Sequence, residues 1–278
     1  MKKSDASANR EVRVQFMLPH MLHAEMEKVP LVFLPIGPIE WHGPHMAVGM
    51  DPINAERVSL ELAQRVGGVV LPTLYAGTER ERDPETLKSL GFRGDEYVVG
   101  MHFPPIRKLY KSFYFPEELF ALIVRGYIES CIETGYRYIF MVNGHGAVNH
   151  NIVLKRLCAE FSNKRDDLHV AYGVAFPKEH TRIGAIGHAS AHETSLLMHY
   201  HRPAIDLSQL PPCDEKLHYK DYGIVDGGGF CGKPGPEHAL PANDDPRSES
   251  SVEKGRDIFE LTVDELAVDV RKFIGRAK

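Results

Sequence analysis

The sequence predicts an α/β protein with a mostly parallel central sheet covered by helices on both faces. Two observations carry that expectation. Short apolar, β-branched runs alternate with stretches of three- and four-residue apolar spacing along most of the 278 residues. Histidine-bearing segments also fall just beyond two of the apolar runs, where open parallel sheets bind their ligands.

Taken in order, "VPLVFLPIG" (29–37) is an apolar run bounded by prolines and reads as a buried strand. A helix follows from Asp51 and Pro52, with apolar positions at Ala55, Val58, Leu62 and Val66 and a glycine pair as its stop. "GVVLPTLY" (68–75) reads as the next strand. Residues 77–115 form a long loop insertion, polar and charged through 105. An amphipathic helix over 116–135 ends at Gly135, and "YRYIFMVNG" (136–144) is a further buried strand. A helix over about 149–162, a strand over 168–176 and a helix over 193–201 closed by Pro203 come next. Residues 211–250 are rich in Gly, Pro and Asp without periodicity, and the last helix spans 251–274. No repeat and no linker separates two cores, so a single domain over 1–278 is expected.

Composition narrows the partners. Hydrophobic content of 43% and charged content of 26% suit a globular protein with a sizeable core. A formal charge of −5 gives no electrostatic reason to expect nucleic acid or an anionic membrane. Cys131, Cys158, Cys213 and Cys231 lie far apart, the pattern of reduced thiols in a cytoplasmic protein. The N-terminus turns polar after two lysines, without the apolar region of a secretory signal, and no apolar run approaches the ~18 residues of a membrane span.

The chemistry concentrates at the strand ends. "EWHGPHMAVGMD" (40–51) places Glu40 and His42 two apart, so in extended chain they project to one side, and Asp51 at the following helix start can turn back toward them. His145 arrives from a second strand end in "NGHGAVNHN". Carboxylates and imidazoles together form a mixed oxygen–nitrogen set suited to zinc, manganese or iron rather than calcium or magnesium. A metal so held lowers the pKa of bound water toward neutrality, and two metals sharing one carboxylate also polarise a substrate carbonyl. Asp51 is the natural bridge, and His45 stands in reserve. A third segment, "GHASAHETSLLMHY" (187–200), offers His188 as proton donor to a leaving group and Glu193 as ligand or base, or alternatively as a helix-capping carboxylate. "VDGGGF" (225–230) lacks the lysine of a phosphate loop and reads as a turn. Ser195 lies outside any G-x-S-x-G context, against a serine hydrolase.

With those residues placed, the sequence resembles the creatininase (creatinine amidohydrolase) family. "GPIEWHGPHMAVGMD", "NGHGAVN" and "HASAHETS" follow, in order, three motifs of that family, with Trp41 at a position usually glutamine; "HFP" (102–104) and "EKG" (253–255) match more weakly. The resemblance implies a three-layer α/β/α sandwich, commonly hexameric, with a two-metal hydrolase centre. Glu40, His42, Asp51 and His145 would be its ligands, Asp51 bridging, and His188 would contact substrate. Creatininase itself carries a Tyr-Glu pair after the motif histidine, the Glu serving as ligand; here Gly146 and Ala147 stand there. The replacement ligand is then expected to be Glu193, with His45 second. The aromatic enclosure of creatinine has no counterpart, so a different small polar substrate is expected. Arg80, Arg82, Arg93, His102, Arg107 and Lys108 of the insertion are candidate donors to it. The expected activity is hydrolysis of a cyclic or linear amide. The alternatives are C–C ring opening of a cyclic polyhydroxy diketone such as 3-dehydro-scyllo-inosose, and non-catalytic binding of a metal or metabolite.

Overall fold

The computed structural model describes residues 10–104, 106–181, 187–220, 223–224, 232–240 and 242–275, so the "VDGGGF" segment and Cys231 lie outside the described residues. Four parallel strands form the central sheet: β1 Leu31–Ile36, β2 Val69–Val70, β3 Tyr138–Asn143 and β4 His169–Val174, in the order β2-β1-β3-β4. All six β1 residues are buried, as a parallel strand covered on both faces requires. β1 and β3 pair in register along their whole length, from Leu31 opposite Tyr138 to Ile36 opposite Asn143.

Helices cover both faces, as the alternation predicts. Their order is α1 Pro19–Lys28, α2 Met50–Val66, α3 Pro84–Ser89, α4 Ile106–Leu109, α5 Glu117–Thr134, α6 Val148–Ser162, α7 Ala191–His201, α8 Pro246–Glu249 and α9 Val252–Gly275. On one face, Val32, Leu34, Ile139 and Met141 meet Phe120, Val124 and Ile128 of α5 and Val153, Leu154 and Leu157 of α6. On the other, Leu31, Phe33, Phe140 and Val142 meet Val58 and Leu62 of α2 and Val263, Leu266 and Val270 of α9. The alternate residues of each strand thus feed separate apolar layers. A small antiparallel pair, β5 Tyr219–Lys220 and β6 Gly223–Ile224, lies outside the main sheet.

Two expected boundaries differ. The strand expected over 68–75 contracts to Val69–Val70, because Pro72 has no N–H to give the ladder; beyond it only Leu74 forms a single bridge, to Ile36. The helix expected from residue 193 begins at Ala191 after an N-cap at Ser190, so Glu193 falls in its first turn.

The insertion is more ordered than its composition suggests. Its two ends bridge each other at Gly77 and Tyr114. Between them, Leu87 of α3 together with Leu90, Val98, Met101 and Phe103 forms an apolar cluster that closes over Trp41. The base is stitched to the chain leaving β1: Phe113 N–H donates to the Ile39 carbonyl at 2.8 Å, and Trp41 N–H to the Ser112 hydroxyl at 3.2 Å.

Close helix crossing makes a testable demand. A Cβ at Gly255 of α9 would lie 1.9 Å from the Ser195 carbonyl oxygen of α7, whereas one at Gly126 on α5 meets nothing within 4 Å. Gly255→Ala is therefore expected to cost about 1–3 kcal/mol by overpacking. Gly126→Ala is expected to stabilise by about 0.5–1 kcal/mol through helix propensity. Denaturant titration of both variants reads the opposite signs.

Candidate metal centre

The in-register ends of β1 and β3 place the expected residues together. Gly144 N–H donates to the Ile36 carbonyl at 2.9 Å, so the chain leaves both strands side by side. The first turn of α2 is set down over this point. A Cβ at Gly37 would come within 2.8 Å of the Asp51 Cβ, and one at Gly144 within 2.0 Å of the Asp51 carbonyl oxygen. Only glycine admits that approach. Asp51 also sits at the positive end of the α2 dipole.

Glu40, His42, Asp51 and His145 are all buried, with Glu193 at 7% exposure beside them. Asp51 divides its oxygens. Oδ1 lies 3.0 Å from His42 Nε2, and Oδ2 lies 2.9 Å from His145 Nδ1. His145 Nδ1 is also 3.4 Å from Glu40 Oε2, and His42 Nε2 is 3.9 Å from Glu193 Oε2. Ligand atoms of three sets, Glu40–Glu79–His145, His42–Asp51–Glu193 and Glu40–His42–His188, each lie within 4.8 Å of one another.

Backbone groups fix the orientation of the ligand candidates. The Glu40 carbonyl accepts from His42 Nδ1 at 3.1 Å, leaving Nε2 toward Asp51. Asn143 clamps the His145 peptide, accepting its N–H at 2.9 Å and donating to its carbonyl at 2.7 Å. Glu193 Oε2 accepts the Ala189 N–H at 2.5 Å, and Ala189 holds a left-handed φ of 59° to aim it. Glu193 therefore braces the turn before α7 while facing His42. His188 Nε2 donates to the Trp41 carbonyl at 2.5 Å, which leaves Nδ1 facing Glu40 Oε2 at 3.7 Å.

Electrostatics follow from burying carboxylates together. Burial pushes Glu193 up to about 7. Burial opposes the charge on His42, yet the Asp51 and Glu193 carboxylates raise it to about 10. His145 is likewise held well above its ordinary value, against burial, chiefly by Glu40 and Asp51. Despite burial, Glu40 stays low because His145 and His188 face it, and Asp51 because His42 and His145 do. Burial and the neighbouring His42 lower His188 to about 4. The carboxylates thus draw protons onto imidazoles, and a divalent cation would displace those protons and take over the compensation. The donor set of carboxylate oxygens and imidazole nitrogens fits zinc or manganese.

His45 is separate from those sets. Burial and the nearby His42 lower it to about 3, and its Nε2 pairs with the Thr194 hydroxyl at 3.0 Å. Two residues that spacing does not single out reach the centre from the base of the insertion. Tyr114 OH donates to Glu40 Oε1 and accepts the Met101 N–H at 3.2 Å. Glu79 joins Glu40 and His145. The Gly77–Tyr114 bridge that delivers both has no signature in the sequence.

The creatininase family model, described as creatinine amidohydrolase, matches residues 19–270. The chain belongs to the creatininase family. A creatinine amidohydrolase of Pseudomonas putida is 28% identical over 115 residues, 41% of this chain and 37% of that protein's length. A manganese form of creatininase superposes with a TM-score of 0.63 at 20% identity, covering 95% of this chain and 98% of the other. A mutant creatininase of Zn–Zn type gives 0.63 at 21% identity over the same shares. At these identities the structural likeness to creatininase is one of fold, and it agrees with the α/β/α layering.

Tyr114→Phe leaves a buried oxygen of Glu40 without its donor. A loss of about 1.5–3 kcal/mol is expected for a hydrogen bond to a charged group, read by denaturant titration of chelator-treated protein.

Proposed function

We propose that the chain is a divalent-metal-dependent hydrolase that cleaves a C–N bond beside a carbonyl in a small polar molecule other than creatinine. The observation that carries this reading is Asp51, whose two oxygens face two different imidazoles in a buried set of five donors. Glu40 and His145 would hold one metal and His42 and Glu193 the other, with Asp51 between them. When bound, such metals supply an activated water and polarise the scissile carbonyl.

The chain's own residues do the rest. Glu193, fixed by the Ala189 N–H, and His42, fixed by the Glu40 carbonyl, are oriented before any ligand arrives. His188 is placed to move the proton. Its Nε2 is tied to Trp41, so Nδ1 takes a proton from the attacking water and returns it to the leaving nitrogen.

Creatinine fits poorly. Gly146 and Ala147 stand in place of the Tyr-Glu pair, and the chain's one tryptophan, Trp41, is packed under the insertion rather than free to stack on a substrate. Ring-opening C–C hydrolysis of an inosose-type diketone would use the same donors. Three of the four arginines in the insertion, candidate donors to such a substrate, are engaged within it: Arg82 with the Gly100 carbonyl, Arg93 with Asp95 and Glu96, and Arg107 with the Tyr97 carbonyl. Amide hydrolysis is therefore the preferred reading.

Assembly as a homo-oligomer, a hexamer by resemblance, is supported by an apolar groove of about 520 Å³ lined by Leu22, Leu71, Leu122, Ile123 and Tyr127. Among the described residues, no helix is long and apolar enough to cross a membrane.

Protein purified without chelator should carry at least about one transition metal per chain, and chelation should abolish turnover that manganese or zinc restores. Glu40→Gln and Asp51→Asn should lose more activity than the ~10–100-fold typical of changes behind the ligands. Assays on lactams, formamides and inosose-type ketones decide the bond. Full metal content with no turnover on any of them would favour a binding protein instead.

A further inference from the structure

We infer that Glu79 is itself a metal ligand beside Glu40 and His145, and that it, rather than Glu193, takes over from the carboxylate missing at Ala147; Glu193 belongs to the other set, with His42 and Asp51. This rests on the metal-dependent reading above. Glu79 brings a ligand atom within 4.8 Å of those of Glu40 and His145. Two carboxylates that close need positive charge beside them; protonated His145 supplies it without a metal, and a cation bound by all three would supply it in its place.

The Glu79 stem is held there on three sides. The preceding residue, Thr78, is tethered to the start of α6: its N–H donates to His150 Nδ1 at 3.4 Å, and its hydroxyl accepts from Asn149 Nδ2 at 3.4 Å. That helix start directly follows the His145-Gly146-Ala147 turn. Glu79 therefore enters beside the turn from which the expected carboxylate is absent. On the second side, the Gly77–Tyr114 bridge fixes the base of the insertion. On the third, Gly100, at φ +53°, lies so close that a Cβ there would sit 2.4 Å from Glu79 Cγ and 2.8 Å from the Tyr114 ring. The stem has no room to swing away on that side, and the Arg80 N–H holds Oε1 at 2.6 Å.

The centre then draws on three neighbouring strands of the sheet. β2 leads to Glu79, β1 to Glu40 and His42, and β3 to His145, in the spatial order β2-β1-β3.

The test is calorimetric titration of chelator-stripped protein with Mn²⁺ or Zn²⁺, together with elemental analysis and the absorption spectrum of the Co²⁺-loaded form. The parent chain and Glu81→Gln, an exposed control two residues away, should take up two metals. Glu79→Gln should weaken one of the two sites by at least ~10-fold and alter the Co²⁺ spectrum, while leaving the other site intact. Should Glu79→Gln fail to fold, Glu79→Asp, one methylene shorter, is expected to weaken the same site. Two metals on the parent with unchanged affinities in the folded Glu79 variant would overturn the role of Glu79 alone. No metal on the parent would overturn the metal reading and this role with it.

Discussion

The arrangement depends on one close approach, the first turn of α2 resting on the paired ends of β1 and β3. Gly37 and Gly144 leave no side chain between sheet and helix, and the Asp51 backbone occupies the space that either Cβ would fill. Because β1 and β3 are in register up to Ile36 and Asn143, the two chains leave the sheet at one level and Asp51 lies across both. Shifting the register by one residue would turn the strand faces inside out and separate His145 from Glu40. The apolar layers on both sheet faces, by holding that register, also hold the geometry of the centre.

Placing carboxylates there is costly, because burial disfavours each charge. The cluster answers with imidazoles. His42 and His145 are raised by the acids around them, while burial, together with the neighbouring His42, lowers His188 and His45. Burial opposes charge on all four rings, and the carboxylates facing His42 and His145 reverse what burial does to His188 and His45. The protonated pair are those whose nitrogens face Asp51, so a cation bound at Asp51 would replace protons rather than add charge.

The sheet and its flanking helices were legible because a parallel strand covered on both faces writes a continuous apolar run, as 31–36 and 138–143 do, and because α2 and α5 end at glycines. The first ligand candidates were legible for the same reason: Glu40, His42 and His145 lie within a few residues of those runs. β2 was overextended because an apolar run does not reveal where Pro72 interrupts pairing. Tyr114 and Glu79 were not legible. Tyr114 reaches Glu40 across 74 positions of chain, through an insertion whose order comes from an apolar cluster and a two-ended bridge rather than from periodicity.

An insertion held in this way lets a family centre change a ligand without changing its frame. A carboxylate two residues after His145 would leave from the turn before α6, whereas Glu79 arrives from the base of the insertion, yet Thr78 ties the two places together through His150 and Asn149. What a metal requires is an oxygen at a position in space, and any backbone held rigidly next to that position can supply it. Here the rigidity comes from Gly100 and Tyr114 packed against the Glu79 stem and from Trp41 closed under the cluster beyond. The insertion is thereby part of the wall of the centre, and the hydrogen bond from Tyr114 to Glu40 joins that wall to the end of β1.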